Sequence, residues 1–128
     1  MDQKTVLYIE DNFHNRRIVR KILQSRGYSL IEAEDGISGL AMVQELKPPL
    51  VLLDIGLPGM DGLEVVGRIK ADEALRAIPV IALTASAMRG DRERFLAAGC
   101  DDYLSKPVQA MELINMVGAY YPSNGNRP

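Results

Sequence analysis

Five short apolar runs alternate with five stretches of helical period, and no other feature limits the fold of this chain so strongly. The runs cover residues 5–9 (TVLYI), 29–33 (SLIEA), 50–53 (LVLL), 80–83 (VIAL) and 102–105 (DYLS). The third and fourth carry no charged residue, as strands covered on both faces of a parallel sheet require. Between them the spacing predicts helices over 13–26, 38–46, 63–71, 91–98 and 108–120. Ile18, Val19, Ile22 and Leu23 make the apolar face of the first; Gly27 and Gly99 stop the first and fourth, and Pro48-Pro49 follows the second. Short strands, crossover helices and short loops predict an α/β fold, a doubly wound parallel sheet with helices on both faces.

Composition bounds the rest. At 128 residues the chain suits one domain with a core of its own. Fifteen Lys and Arg against 17 Asp and Glu leave a net charge of −2, without the basic excess of a general nucleic-acid binder. No apolar run has the length of a membrane helix, and the first residues lack a signal-peptide pattern. The single cysteine, Cys100, offers neither an internal disulfide nor a thiolate cage. A cytoplasmic domain without direct membrane or nucleic-acid contacts is expected. The breaker-rich residues 122–128 read as a polar tail after a domain at 1–121.

In an open parallel sheet, ligands bind beyond the carboxyl ends of the strands. Glu10 and Asp11 follow the first run, Asp54 the third, Thr84 the fourth, and Lys106-Pro107 the fifth. Three carboxylates, a hydroxyl and an ammonium therefore share one sheet edge. Carboxylates about 4 Å apart repel by roughly 4 kcal/mol per pair at an effective dielectric near 20, so a cation or protons must offset them. Hard oxygen donors without His or Cys favour Mg2+, with Mn2+ as a substitute. A carboxylate beside such a cation and a lysine is placed to attack phosphorus. Asp also serves in ordinary turns, but a threonine and a lysine at neighbouring strand ends share no turn role.

Glu10-Asp11, the run 54–62 (DIGLPGMDG), the run 80–85 (VIALTA) and Lys106-Pro107 together resemble the CheY-like receiver domain of two-component response regulators, over residues 4 to about 120. The resemblance implies the flavodoxin-like strand order 2-1-3-4-5, in a three-layer αβα sandwich. It implies that Asp54 is the phosphoacceptor, and that Glu10 (through a water), Asp11, Asp54 and the backbone carbonyl of Gly56 hold Mg2+. Thr84 and Tyr103 would be the switch residues, Lys106 the ammonium on the phosphoryl group, and the Lys106–Pro107 peptide cis. A histidine kinase or histidine phosphotransfer protein would supply the phosphoryl, and the output would be contact with a downstream protein. The chain would be either a single-domain regulator or the receiver of a larger hybrid kinase.

Gly56 and Ser86 are small where many relatives carry side chains that tune hydrolysis, so water is expected to reach an acyl phosphate unobstructed. Asn12 and Asn15 resemble the pattern of hybrid-kinase and relay receivers, although Asn12 also reads as a helix cap. His14 is expected to face solvent and Cys100 to be a small buried hydrophobe. Met88, Met111 and Met116 read as core more readily than as a partner surface. The basic run Arg16, Arg17, Arg20, Lys21 and Arg26 is either a solvated face or a docking face for a helical hairpin bearing the donor histidine. A Mg2+-dependent phosphohydrolase would want a general acid where Gly56 stands. A flavodoxin-like small-molecule binder would want a Gly-rich loop where Glu10-Asp11 stands.

Overall fold

The computed structural model describes residues 4–57, 59–85 and 90–122. Position 58 of the DIGLPGMDG run, the expectations for Ser86 and Met88, and residues 123–128 of the expected tail lie outside these described residues.

The elements alternate as expected: β1 (Lys4–Ile9), α1 (Phe13–Gln24), β2 (Tyr28–Ala33), α2 (Gly36–Leu46), β3 (Val51–Asp54), α3 (Gly62–Ala71), β4 (Val80–Thr84), α4 (Asp91–Ala98), β5 (Asp102–Ser105) and α5 (Ala110–Tyr120). All strand pairs are parallel, in the order β2-β1-β3-β4-β5. This is the doubly wound arrangement of the flavodoxin-like fold.

Strand residues alternate between two apolar layers, as a period of two requires. Leu7, Ile9, Val51, Leu53, Val80 and Ala82 pack with Leu40, Val43, Val65, Ile69 and Phe95, from α2, α3 and α4. Val6, Tyr8, Leu52, Ile81 and Leu83 pack with Val19, Leu23, Leu113 and Val117, from α1 and α5. The central strands β1, β3 and β4 are buried on both faces, which explains their lack of polar alternation.

Side-chain caps start three helices. Asn12 accepts from the Asn15 N–H, Asp35 from that of Ser38 and Asp61 from that of Glu64. The cap reading of Asn12 therefore holds. Helix α5 begins at Ala110 instead of 108, because Gln109 is still extended at φ −88° after the cis Lys106–Pro107 peptide. Helix α1 ends at Gln24, two residues early, in a turn that leads to Gly27 at φ +85°. Strand β3 extends through Asp54, so that carboxylate is carried by a strand and not by the loop. Gly62 seats α3 against this strand end, since a Cβ there would lie 2.7 Å from the Asp54 carbonyl oxygen and the Ile55 Cα.

Two apolar assignments fail. Ile18 is 51% exposed, because the face that α1 buries centres on Val19 and Leu23, and Ile18 lies about 100° round the helix from Val19. Met111 is 56% exposed in the first turn of α5, whereas Met116 is half-buried against the α1/α5 layer. His14 faces solvent and Cys100 is buried, as expected. Among the described residues no helix is long and apolar enough to cross a membrane.

Candidate functional site

The parallel register brings the expected residues to one edge of the sheet. Asp54 ends β3 opposite Leu83, and Thr84 ends β4 opposite Ser105, so Lys106 is the first residue beyond β5. The Lys106 N–H donates to the Thr84 carbonyl at 2.8 Å, continuing the ladder past the strand. Glu10 follows β1, and its N–H bonds the Ala33 carbonyl at 2.9 Å.

One carboxylate oxygen from each of Glu10, Asp11 and Asp54 lies within 4.8 Å of the others. Glu10 and Asp54 are buried; Asp11 is exposed. The Lys106 ammonium sits between the buried pair, 2.9 Å from Glu10 Oε1 and 3.1 Å from Asp54 Oδ1. The Gly56 N–H also donates to Asp54 Oδ1, at 3.2 Å. Thr84 is buried at the end of β4. Tyr103, on β5, is half-buried with its ring edge-on to Phe95 at 5.8 Å between centroids.

Environment separates the two buried carboxylates. Burial raises Asp54 above the ordinary carboxylate range, and the Glu10 charge adds to this against the pull of Lys106. Burial acts on Glu10 in the same sense, but hydrogen bonds from Lys106 and Tyr8 outweigh it and hold Glu10 low. Burial opposes the charge on Lys106, yet its bonds to Glu10 and Asp54 prevail and push it up. The ammonium is thus firmly charged and shared between two anions. Hard oxygen donors, converging with less positive charge than they need, fit a divalent cation such as Mg2+.

Sequence reasoning missed three participants. Tyr8 donates from its hydroxyl to Glu10 Oε1 at 2.8 Å. Its place on β1, two residues before Glu10, was the available signal. Arg16 donates from Nη1 to the Glu10 carbonyl oxygen at 2.8 Å and lies 3.3 Å from Glu32 on β2. Arg20 grips the same Glu32 with two bonds, at 2.6 and 2.9 Å. Two charges of the basic run are therefore engaged within the chain, while Arg17, Lys21 and Arg26 are exposed. Asn15 is half-buried and lines a small cavity with Tyr8, Ile18, Lys106 and Pro107, next to the acidic site.

The model of the response regulator receiver domain matches residues 6–118, all but the first residues of β1 and the last of α5. The chain belongs to the receiver family. As a receiver of two-component systems it is a signalling domain, and such domains interact with histidine kinases and downstream proteins. It is 42% identical over 117 residues to the polar-differentiation response regulator DivK of Brucella anthropi, an alignment that covers 91% of this chain and 95% of DivK. The receiver domain of sensor histidine kinase PA1611 from Pseudomonas aeruginosa has a TM-score of 0.84 and 37% identity, covering 91% of this receiver and 96% of that domain. That structure holds a magnesium ion in its active-site cleft. The Mn2+-bound response regulator Rcp1 aligns with a TM-score of 0.75 and 32% identity, over 90% of this chain and 89% of its own. The Glu10, Asp11 and Asp54 cluster of this receiver fits the phosphorylation site of the family.

Proposed function

We propose that Asp54 accepts a phosphoryl group from a histidine kinase or a histidine phosphotransfer protein, and that the acyl phosphate switches which downstream protein the domain binds. The observation that carries this reading is the placement of Asp54. It is a buried carboxylate at a strand end, close to two acidic neighbours and in contact with an ammonium that it shares with one of them. Among the described residues, its contacts from Lys106 and Gly56 both fall on Oδ1. Oδ2 is the nucleophile in this reading. It forms the new O–P bond while the N–P bond of the donor phosphohistidine breaks, and the electron pair of that bond stays on the imidazole.

Asp11, Asp54 and the Gly56 carbonyl would hold Mg2+, or Mn2+ in its place, with Glu10 contributing through a water. The ion, when bound, supplies positive charge to the phosphoryl oxygens. Lys106 supplies the second positive group, turning its ammonium from Asp54 to a phosphoryl oxygen. The Thr84 hydroxyl donates to another phosphoryl oxygen, and Tyr103 repacks in response, which biases a two-state surface toward the partner. Beyond the transfer from phosphohistidine, self-phosphorylation from small donors and self-dephosphorylation are the only reactions this reading asks of the chain. We place the domain at residues 1–121, acting in the cytoplasm.

Intact mass after incubation with acetyl phosphate and Mg2+ tests the reading, with Asp54→Asn alongside. One added phosphoryl is expected in the parent, and none in the variant or in chelator. An adduct that persists in Asp54→Asn would overturn the assignment. Where the parent shows no adduct, tight binding of beryllofluoride marks fast hydrolysis, and its failure to bind defeats the proposal.

A further inference from the structure

Strand β1 turns Val6 and Tyr8 to the same side of the sheet, toward α1 and α5, and Glu10 follows directly after the strand. Tyr8 is wholly buried there, packed in one layer with Val19, Leu52 and Leu83. A phenylalanine would fill that volume without a polar atom to satisfy. The hydroxyl instead reaches Glu10 Oε1 at 2.8 Å, the one bond it makes among the described residues. The same oxygen takes the Lys106 ammonium at 2.9 Å, and Oε2 takes the Asn12 N–H at a longer 3.2 Å.

The two side-chain donors on Glu10 differ in kind. Lys106 also contacts Asp54 at 3.1 Å, so its hold on Glu10 is shared and is weakened whenever its other contact strengthens. Tyr8 has no second acceptor among the described residues and is fixed by the packing around its ring. We infer that Tyr8 is a positioning residue of the acidic site: its buried hydroxyl keeps the Glu10 carboxylate beside Asp11 and Asp54 and leaves Lys106 free to serve the phosphoryl group. Tyr8 acts through Glu10, as an outer partner that orients a ligand does. The inference rests on the proposed reading that Glu10, Asp11 and Asp54 hold Mg2+.

The test is calorimetric titration of Mg2+ alone into the parent, Tyr8→Phe, Glu10→Ala and the double variant, with unfolding in chelator as a control for folding. Loss of the hydroxyl is expected to weaken Mg2+ binding by about tenfold, which is about 1.4 kcal/mol. Tyr8→Phe is expected to cost nothing further once Glu10 is alanine. A purely structural role for the hydroxyl would give the same loss with and without Glu10, and that result overturns the inference. Unchanged affinity in Tyr8→Phe, beside normal binding by the parent, overturns it while leaving the metal reading intact. A parent that binds no Mg2+ defeats the metal reading itself.

Discussion

Asp54→Asn in the absence of divalent ions measures how much the resting site is held against its own electrostatics. Glu10 and Asp54 present oxygens within 4.8 Å of one another, a repulsion of at least about 3.5 kcal/mol at an effective dielectric near 20. Asp11 is exposed, and water reduces its share to about 1 kcal/mol. Against these stands the Lys106 contact at 3.1 Å, an attraction of about 5 kcal/mol on the same scale. The charge terms cancel to within about 1 kcal/mol, so the burial of the carboxylate decides the sign. Asparagine keeps an oxygen for Lys106 and the Gly56 N–H without a buried charge. The variant is therefore expected to be more stable than the parent in chelator at pH 7, by about 1–2 kcal/mol. That corresponds to a melting temperature about 4–7 °C higher. Acid should close the gap. Because Asp54 is raised in the folded state, its penalty is full when it is ionised in both states. The penalty disappears as the pH falls through the raised folded value toward the ordinary 3.8. Mg2+ should close it from the other side, by stabilising the parent more than the variant. Urea denaturation in chelator between pH 5 and 8 provides the measurement. An asparagine variant less stable than the parent throughout that range would refute the balance drawn here.

The position that seats α3 and the open position beside the acceptor give two further expectations. Gly62→Ala forces a Cβ to within 2.7 Å of backbone atoms at the end of β3, and chemical denaturation should show a loss of about 1–3 kcal/mol; unchanged stability would mean that α3 is not held against that strand end. Gly56 is exposed, and a Cβ there would stand only 4.0 Å from Asp54 Oδ1, so the acyl phosphate should decay within minutes once the donor is removed and more slowly in Gly56→Met. A parent lifetime of many hours, read by intact mass, would sink that expectation.

The layers were legible because hydrophobic period is a local property of sequence. Runs such as LVLL and VIAL, lacking charge, have few alternatives to a strand buried on both faces. The acidic edge was legible for a topological reason. In a parallel sheet every strand ends on the same side, so reading the residue after each run amounts to reading a surface. Helix ends were less legible, since Gln109 stays extended and Ser25 belongs to a turn, whatever the apolar period. Ile18 was misplaced because a period of 3.6 leaves its edge positions ambiguous, and the neighbouring layer decides which one is covered.

Charge partners were the least legible, because pairing depends on distances that sequence spacing does not encode. Arg16 and Arg20 look like members of one solvated row, yet Glu32, on the strand beside β1, takes both. Its carboxyl is held low, by the Arg20 bond first. This changes what the first helix offers to another protein. Arg17, Lys21 and Arg26 remain exposed, whereas Arg16 is tied through the Glu10 carbonyl to the acidic edge itself. A partner that drew Arg16 away would release Glu32 from one of its cations and remove a donor from the backbone of Glu10. The edge strand, the first helix and the carboxylate cluster therefore cannot be perturbed independently, and a charge reversal at Arg16 reports on the site as much as on docking. Arg17 and Lys21 are the substitutions that separate the two.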